Sequence, residues 1–497
     1  MLSLCIAGAS VAGLLVWHYL FNYEQARLHY NDRMESCKEL LVEIPILNSD
    51  PNRYSQVGDY QVPHLAYKYR YPFIIGNFSL LHDVMPNLFL PIRNLLFPNF
   101  SHLQFETKFF SDFDETFEDI CLDFLRPHDA TEACKNSQEG HLSSKPVVLI
   151  FPGITGSSES YYVQSLIRTI QKQQHVNECP YHVVVYNRPG CHSLQNSKLR
   201  KPKFFLNSHK KTVERVIEIV SQEFPNSNLL LVGYSAGGVG ITKQLGSKKV
   251  KKNPRVIGAI TVSQPFDMLE TLKTLETNKA YNKFLVTFIL EVFKKNRELL
   301  EGAIPSLDLQ NMEQCKSIDE IDTKLTKPLH GLQDVTLDFY NKRSTFMKHL
   351  QRISGEKALH RVKTTQNELG ENVYYEEENE KGGNGAATSV ISRHDHNGNE
   401  KTYHAPVFIM LSKDDQIIAY NSAKLSSIVH AKGAEHLYVI ETQHGGHCSF
   451  FEQFSWWLPS ALSFSDTFAD KVVMQTLAGM VKHHQKFQAK FDPVNNQ

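Results

Sequence analysis

The residues best placed to do chemistry in this chain surround Ser235, within the stretch Gly-Tyr-Ser-Ala-Gly-Gly over 233–238. An apolar run precedes this stretch over 229–232, and a helical pattern follows from about Val239. A strand, a sharp turn and a helix in this order hold a serine in a strained conformation that exposes its hydroxyl, and flanking glycines avoid a Cβ clash. Because the bare pattern occurs by chance in about one chain in ten of this length, the interpretation also needs a base and an acid.

A serine hydroxyl is a weak nucleophile at neutral pH, so it needs a base to take its proton and an acid to orient that base. Two patterns of buried strands downstream, over 405–411 and 435–440, end in residues of these types. The first is followed by Asp414 and Asp415, and the second by the His-Gly-Gly-His run at 444–447. The order serine, aspartate, histidine at the carboxyl ends of strands is that of the α/β-hydrolase fold.

We expect Asp415 to be the acid, because the residues that follow it match an acid-then-apolar pattern. Asp414 is the alternative, and otherwise it caps the turn or accepts a nearby backbone N–H. We expect His447 to be the base, because the two glycines before it allow a close approach to the serine. His444 is then a loop residue that supports the site or has no role in it.

The oxyanion formed during attack on a carbonyl needs backbone N–H donors. Ala236, directly after the nucleophile, is expected to supply one. The other is expected at Ile154, in the loop 152–158 that follows the apolar run 147–151. The alternative for this loop is an ordinary glycine-containing connection between a strand and a helix.

These motifs resemble those of the membrane-anchored abhydrolase-domain lipases, relatives of the bacterial YheT-like hydrolases of the AB hydrolase 4 family. The resemblance runs from about residue 100 to 465 and rests on 152–156, 185–190, 233–238, 414–415, 444–447 and a segment from Ile318 to Ser344. The chain departs from the family pattern at Pro189, Ile321 and Gln416. The resemblance implies a hydrolase of lipid esters that needs no cofactor.

Composition is consistent with one large enzyme core. The 497 residues, of which 41% are apolar, can bury a single large α/β core with additions. A net charge of zero gives no electrostatic case for binding nucleic acid. The 23 histidines and eight cysteines have no spacing typical of a metal site or a disulfide framework, so we expect no metal. Cys448 is expected to line the site, because Ser235 already occupies the position of the nucleophile.

The first 21 residues are nearly all apolar, and about 20 such residues can span a bilayer. No basic residue precedes them, as a cleaved signal peptide would require, so residues 1–23 are predicted to be an uncleaved transmembrane anchor. Basic residues after the segment favour a catalytic domain on the cytosolic side of the membrane. The resemblance implies a catalytic domain on the other side of the membrane. We expect a single-pass protein of the endoplasmic reticulum or another endomembrane rather than the plasma membrane, with the bilayer as a partner.

The predicted fold is an α/β-hydrolase with a mostly parallel central sheet and helices on both faces. After the anchor we expect an N-terminal extension over 26–100 and a core formed by 101–267 and 403–497. Residues 268–344 are predicted to form a helical cap over the site, or alternatively one more pair of surface helices. The polar stretch 355–402 is predicted to be a disordered insert, because it cannot bury enough apolar area to order itself.

These inferences favour a membrane-anchored serine hydrolase of lipid carboxylic esters, such as monoacylglycerols or phospholipids. The alternatives on the same catalytic residues are an acyl-CoA/alcohol acyltransferase and a short-chain carboxylesterase. A non-catalytic lipid-binding or receptor protein is the alternative from another class, but such a protein has no need to keep Ser235, Asp415 and His447. The sequence does not indicate an oligomeric state.

Overall fold

The architecture is taken from a computed structural model of the chain. It describes residues 23–30, 35–71, 103–110, 120–126, 144–177, 181–192, 199, 210–246, 253–265, 268–303, 312–326, 328, 390–394, 400–418, 422–430, 436–452 and 467–489.

The strands in these ranges are β1 Arg27–His29, β2 Ser49–Val57, β3 Tyr60–Leu65, β4 Phe105–Phe110, β5 Ile120–Leu125, β6 Val147–Phe151, β7 His182–Asn187, β8 Leu229–Tyr234, β9 Val256–Val262, β10 Val390–His394, β11 Glu400–His404, β12 Val407–Ser412 and β13 Leu437–Thr442. The α-helices are α1 Glu35–Val42, α2 Tyr161–Asn177, α3 Lys210–Glu223, α4 Ala236–Leu245, α5 Met268–Thr277, α6 Lys279–Lys295, α7 Arg297–Ala303, α8 Ile318–Ile321, α9 Ser422–Val429 and α10 Phe468–Ala489, with a 3-10 helix over Pro45–Leu47 and a π-helix over Asp322–Thr326.

Eleven of the described strands form one sheet, in the order β2–β3–β1–β13–β12–β9–β8–β6–β7–β5–β4. The centre, from β13 to β7, is parallel. The flanking strands on both sides pair antiparallel. The prediction of a mostly parallel sheet is therefore only partly correct, because antiparallel strands extend both edges and make the sheet mixed.

Apolar layers cover both faces of the sheet, as predicted. On β6, Val148 and Ile150 pack on one side with residues of α1, α2 and α10, while Val147, Leu149 and Phe151 pack on the other with residues of α3, α4 and α9. Alternate side chains of a strand point to opposite faces, so a strand covered on both faces is apolar throughout. This explains why the central strands are continuous apolar runs in the sequence.

The described part of the predicted N-terminal extension belongs to the same sheet as the core. β1 pairs antiparallel with β13, and β3 and β2 follow outward. The Glu441 carboxylate on β13 is buried and lies 3.2 Å from both Arg27 and His29 of β1 and 3.0 Å from Lys413. This buried cluster fixes β1 against the core, so the described residues of the N-terminal extension continue the sheet of the core.

Two strands lie within the predicted disordered insert, so the prediction is wrong for residues 390–394 and 400–402. β10 and β11 pair antiparallel over five residues each. Tyr403, at the end of this hairpin, is buried, and its hydroxyl donates to the Ile257 carbonyl at 2.8 Å. Its ring also packs against His484 and Phe487 of α10. The burial of this one large aromatic side chain thus helps to order a segment that is otherwise polar. Residues 355–389 of the predicted insert lie outside the described residues.

The segment predicted as a cap is described over 268–303, 312–326 and 328, and it consists mostly of helices, which include α5 to α8. One apolar cluster of this segment packs against Ile154, and another includes Ile417. Asn278, the N-cap of α6, also donates its side-chain N–H to the Gln416 side chain. The helical segment therefore contacts the loop after β6 and the loop after β12.

None of the helices described in the structure has the length and apolar character that crossing a bilayer requires. The predicted anchor lies outside the described residues, apart from Tyr23.

Candidate active site

Ser235 lies in the sharp turn between β8 and α4, with φ 48° and ψ −120°. The turn depends on its glycines. A Cβ at Gly233 would lie 2.6 Å from the Gly238 Cα, and one at Gly237 would lie 2.0 Å from the Phe151 carbonyl oxygen. Both distances are too short for a side chain, so the backbone can hold this shape only with glycine at these positions.

Three predicted residues are joined by hydrogen bonds in one line. The His447 Nε2 atom lies 2.8 Å from the Ser235 Oγ atom. On the other side of the ring, Nδ1 lies 2.8 Å from Asp415 Oδ2 and 3.1 Å from Oδ1. If Nδ1 donates its proton to the carboxylate, Nε2 is left as an acceptor that faces the serine hydroxyl. This is the arrangement in which an imidazole can remove the serine proton.

Asp415, the acid of this line, is held in place by backbone N–H groups of residues that follow it in the chain. Asp415 Oδ1 accepts the N–H groups of Ile417 at 2.8 Å and of Ile418 at 3.2 Å, and its side chain is fully buried. Burial acts to lower the pKa of His447, but the Asp415 carboxylate and, after it, Cys448 outweigh burial and raise that pKa well above its ordinary value. The imidazolium that forms when the serine proton is removed is therefore stabilised.

The direction of this pKa shift predicts the pH dependence of activity. Only the neutral His447 can accept a proton, and it becomes charged as the pH falls through its pKa. A raised pKa therefore moves the acid limb of kcat/KM to a pH above the ordinary histidine value of about 6.5. A pH series on a soluble ester measures this limb, and a limb well below pH 6 would contradict the assignment of His447 as the base.

The two alternates lie beside this line rather than in it. Asp414 Oδ1 accepts the Ser412 hydroxyl at 2.7 Å and the Gly446 N–H at 3.0 Å. The His444 Nδ1 atom lies 3.6 Å from the other Asp414 oxygen. Asp414 thus binds the backbone of the loop that carries His447, which matches the role of N–H acceptor expected for it.

The predicted oxyanion loop runs next to the nucleophile. A Cβ at Gly153 would lie 3.3 Å from the Ser235 Cβ, and the Gly153 N–H donates to the Tyr162 hydroxyl at 2.9 Å. Ile154 follows directly and packs against the helical segment. Ala236 is the first residue of α4, and the first N–H groups of a helix have no partner within it. Of the two predicted donors, Ala236 thus directly follows Ser235, and Ile154 lies in the loop that runs beside it.

Several supporting residues were missed by the sequence interpretation. Ser263, after β9, accepts the N–H of Cys448 at 2.9 Å and so fixes the residue after the histidine. Arg188 donates from Nε to the Pro152 carbonyl at 3.2 Å. The position of Ser263 at the carboxyl end of a parallel strand is the signal that could have identified it.

A buried carboxylate on β5 holds the far side of the oxyanion loop. Asp123 accepts the hydroxyls of Ser158 and Thr107, each at 2.5 Å, and lies 3.0 Å from His192 Nε2. Burial acts to raise the pKa of Asp123, but these hydrogen bonds outweigh it and lower the pKa overall. An ionised Asp123 therefore joins three separate segments behind the site.

Left-handed backbone conformations at non-glycine residues concentrate around the same place: Thr155, Ser235, Ser263, Cys448 and Phe450. Such conformations are unfavourable and persist where surrounding contacts enforce them, often at functional sites. Within the described residues, no group of three or more His, Cys, Asp or Glu side chains is arranged to hold a metal ion.

A family model described as alpha/beta hydrolase fold matches residues 146–454, well over half of the chain. The chain belongs to the alpha/beta hydrolase fold family. The fold predicted from the order of Ser235, Asp415 and His447 is thereby confirmed. The matched residues contain all three side chains of the hydrogen-bonded line.

The individual proteins that this chain resembles share less than 30% of its residues over the matched parts. The chain is 29% identical over 206 residues to the embryogenesis-associated protein EMB8 of Picea glauca, covering 41% of this chain and 42% of that one. It is 26% identical over 205 residues to the human phospholipase ABHD3, covering 41% and 46%. It is 24% identical over 350 residues to a monoacylglycerol lipase ABHD2 of Danio rerio, covering 68% and 65%. The match thus spans less than half the length of the first two relatives and just under two thirds of the third.

Proposed function

We propose that this chain is a serine hydrolase that cleaves carboxylic esters of lipids, of the monoacylglycerol or phospholipid type. The observation that carries the proposal is the continuous line of hydrogen bonds from Ser235 through His447 to Asp415. The family to which the chain belongs supports the same conclusion.

The proposed reaction uses the three hydrogen-bonded residues in turn. Ser235 Oγ attacks the ester carbonyl while His447 Nε2 takes its proton, and Asp415 stabilises the imidazolium that results. The backbone N–H groups of Ala236 and Ile154 donate to the oxyanion. His447 then gives the proton to the leaving alcohol, which departs and leaves an acyl ester on Ser235. A water molecule, activated by the same imidazole, releases the acid without a cofactor.

Two observations support lipids as the substrate class. The curated relatives include proteins named phospholipase and monoacylglycerol lipase. In addition, the helical segment brings apolar clusters against Ile154 and Ile417, which adjoin the oxyanion loop and the acid. An acyl chain that moves from water into contact with these clusters is stabilised by about 0.8 kcal/mol for each buried CH₂. Membrane anchoring through residues 1–23, at the endoplasmic reticulum or another endomembrane, is part of the same proposal.

The competing functions predict different products. A panel of a monoacylglycerol, a phospholipid and a short-chain ester, each with and without an added alcohol, separates them. A lipase releases free fatty acid from the lipids, whereas a transferase makes a new ester when the alcohol is present. Turnover of the short-chain ester alone would favour the general carboxylesterase, and no turnover of any ester would favour a non-catalytic binding protein.

The proposed anchor gives a further prediction. Removing residues 1–22 should leave the rate on a short soluble ester unchanged and strongly lower the rate on long-chain lipid in vesicles, because the site is no longer held at the bilayer. The truncation must keep Glu24, because its carboxylate contacts the loop that carries His447. Rates with both substrates across acyl lengths measure the effect. A vesicle-to-soluble ratio that does not change on truncation, or with chain length, would count against a membrane lipase.

A further inference from the structure

Glu24 makes a long-range contact to the loop between β13 and His447. Its Oε1 atom accepts the N–H of Gln443 at 3.0 Å, and its Oε2 atom accepts the N–H of His444 at 3.2 Å. Glu24 and Gln443 are 419 positions apart in the chain. A carboxylate that accepts two adjacent backbone N–H groups restrains both the position and the direction of that backbone.

The same N-terminal region contacts the other side of the loop. Glu24 pairs with Tyr69 through two backbone hydrogen bonds of 2.9 Å, and the Tyr69 hydroxyl donates to the Phe451 carbonyl at 2.9 Å. The ring of Tyr71 packs against the ring of His444, with 4.1 Å between centroids and 40° between the ring planes. The loop from 443 to 451 is therefore held at both ends by residues from the first part of the chain.

The loop needs such restraint because of its sequence. Gly445 and Gly446 separate the residues bound by Glu24 from His447, and Gly446 adopts a left-handed φ of 59°. Glycine has more backbone freedom than any other residue. The His447 ring must nevertheless stay within 2.8 Å of the Ser235 hydroxyl. A displacement of about 1 Å in such a group can lower a rate by as much as about 100-fold.

We propose that Glu24 is a positioning residue for His447: its side chain fixes the backbone of Gln443 and His444 and thereby holds the base within reach of Ser235. The effect on rate rests on the proposed function, in which His447 is the base. The effect on the position of the loop does not rest on the proposed function, because it depends only on the two contacts between Glu24 and the backbone.

Glutamine is a close mimic of this side chain. Burial raises the pKa of Glu24 to about 7, although His444 acts to lower it, so an uncharged form is populated near neutral pH. An amide oxygen in the place of Oε1 can still accept from Gln443 at 3.0 Å and from His444 at 3.4 Å, but the amide NH₂ cannot accept in the place of Oε2, and Ala removes both acceptors. The pair Glu24→Gln and Glu24→Ala therefore isolates the acceptor from the charge.

Gln25 offers a matched control in the same segment. Its side chain donates to Asp50 at 3.2 Å and accepts from Arg53 at 2.5 Å, away from the loop. Gln25→Ala thus removes a polar side chain of similar size with no change at residues 443–447.

The experiment uses the full chain and four proteins: the native protein, Glu24→Gln, Glu24→Ala and Gln25→Ala. Kinetics on a soluble short-chain ester give kcat and KM, amide hydrogen exchange reports on residues 443–451, and thermal unfolding checks the fold. We expect Glu24→Ala to lower kcat about tenfold with KM nearly unchanged, and to speed exchange in the loop. Gln25→Ala should stay close to the native protein in both readouts, and Glu24→Gln should lie between the native protein and Glu24→Ala, because it keeps one of the two acceptor oxygens.

Two results would overturn the proposal. The first is loop exchange in Glu24→Ala that equals that of the native protein. The second is a Gln variant as impaired as the Ala variant, since acceptor geometry would then not be the cause. If Ser235→Ala hydrolyses the ester as fast as the native protein, the proposed function fails instead, and hydrogen exchange still decides whether Glu24 holds the loop.

Discussion

Ser235→Ala should lower ester hydrolysis by about 10⁶-fold, the loss typical of a nucleophile that acts as one unit with its base and acid. The hydroxyl is the atom that attacks, and its Oγ lies 2.8 Å from His447 Nε2. Alanine is small enough for the strained turn, so the fold should remain intact. Initial rates on a soluble ester, together with thermal unfolding, measure both effects.

Ser165→Ala is the matched control for this variant. Ser165 lies on helix α2, away from the site, and its hydroxyl donates to the Asp470 carboxylate on α10 at 2.6 Å. Its loss should lower the free energy of unfolding by about 1 kcal/mol and leave the hydrolysis rate near that of the native protein. A Ser235→Ala protein that is folded and retains its full rate would mean that another group is the nucleophile.

Asp415→Asn should lower turnover by about 10⁴-fold. The amide can present an N–H to the His447 ring, which favours the tautomer with its proton on Nε2 and removes the acceptor for the serine proton. The substitution also removes the carboxylate that raises the pKa of His447, so the acid limb of kcat/KM should move to lower pH.

Asp414→Asn tests whether the adjacent acids have different roles. Its carboxylate accepts from Ser412 and Gly446, and an amide oxygen can accept the same bonds. We therefore expect a much smaller loss of turnover than for Asp415→Asn and an acid limb close to that of the native protein. A larger loss for Asp414→Asn than for Asp415→Asn would transfer the role of acid to Asp414.

The central strands and the residues that follow them were predictable for one physical reason. Strands buried on both faces are apolar throughout, so they stand out in sequence, and functional groups of such sheets collect where the strands end. Ser235, Asp415 and His447 each follow a run of this kind. The choice of Asp415 over Asp414 agrees with the geometry because the apolar residues after Asp415 turn their backbone N–H groups to its carboxylate.

The edge of the sheet formed by β1, β3 and β2 was not predictable, because pairing there depends on tertiary contacts. β1 has only three residues, two of them Arg27 and His29, and its place in the sheet follows from their contacts with Glu441. Strand preference of such segments is set by their neighbours rather than by their own sequence. The contact between Glu24 and the loop before His447 was not predictable either, because it joins residues 419 positions apart in the chain.

Covalent labelling with a fluorophosphonate, followed by mass spectrometry of the peptides, identifies the nucleophile directly. The reagent reacts with a serine that an adjacent base has activated. We expect one adduct, on the peptide that contains Ser235, and slower labelling when a monoacylglycerol or phospholipid competes for the site. An adduct on a different serine, or no adduct on the folded native protein, would contradict the assignment of Ser235 as the nucleophile of an ester hydrolase.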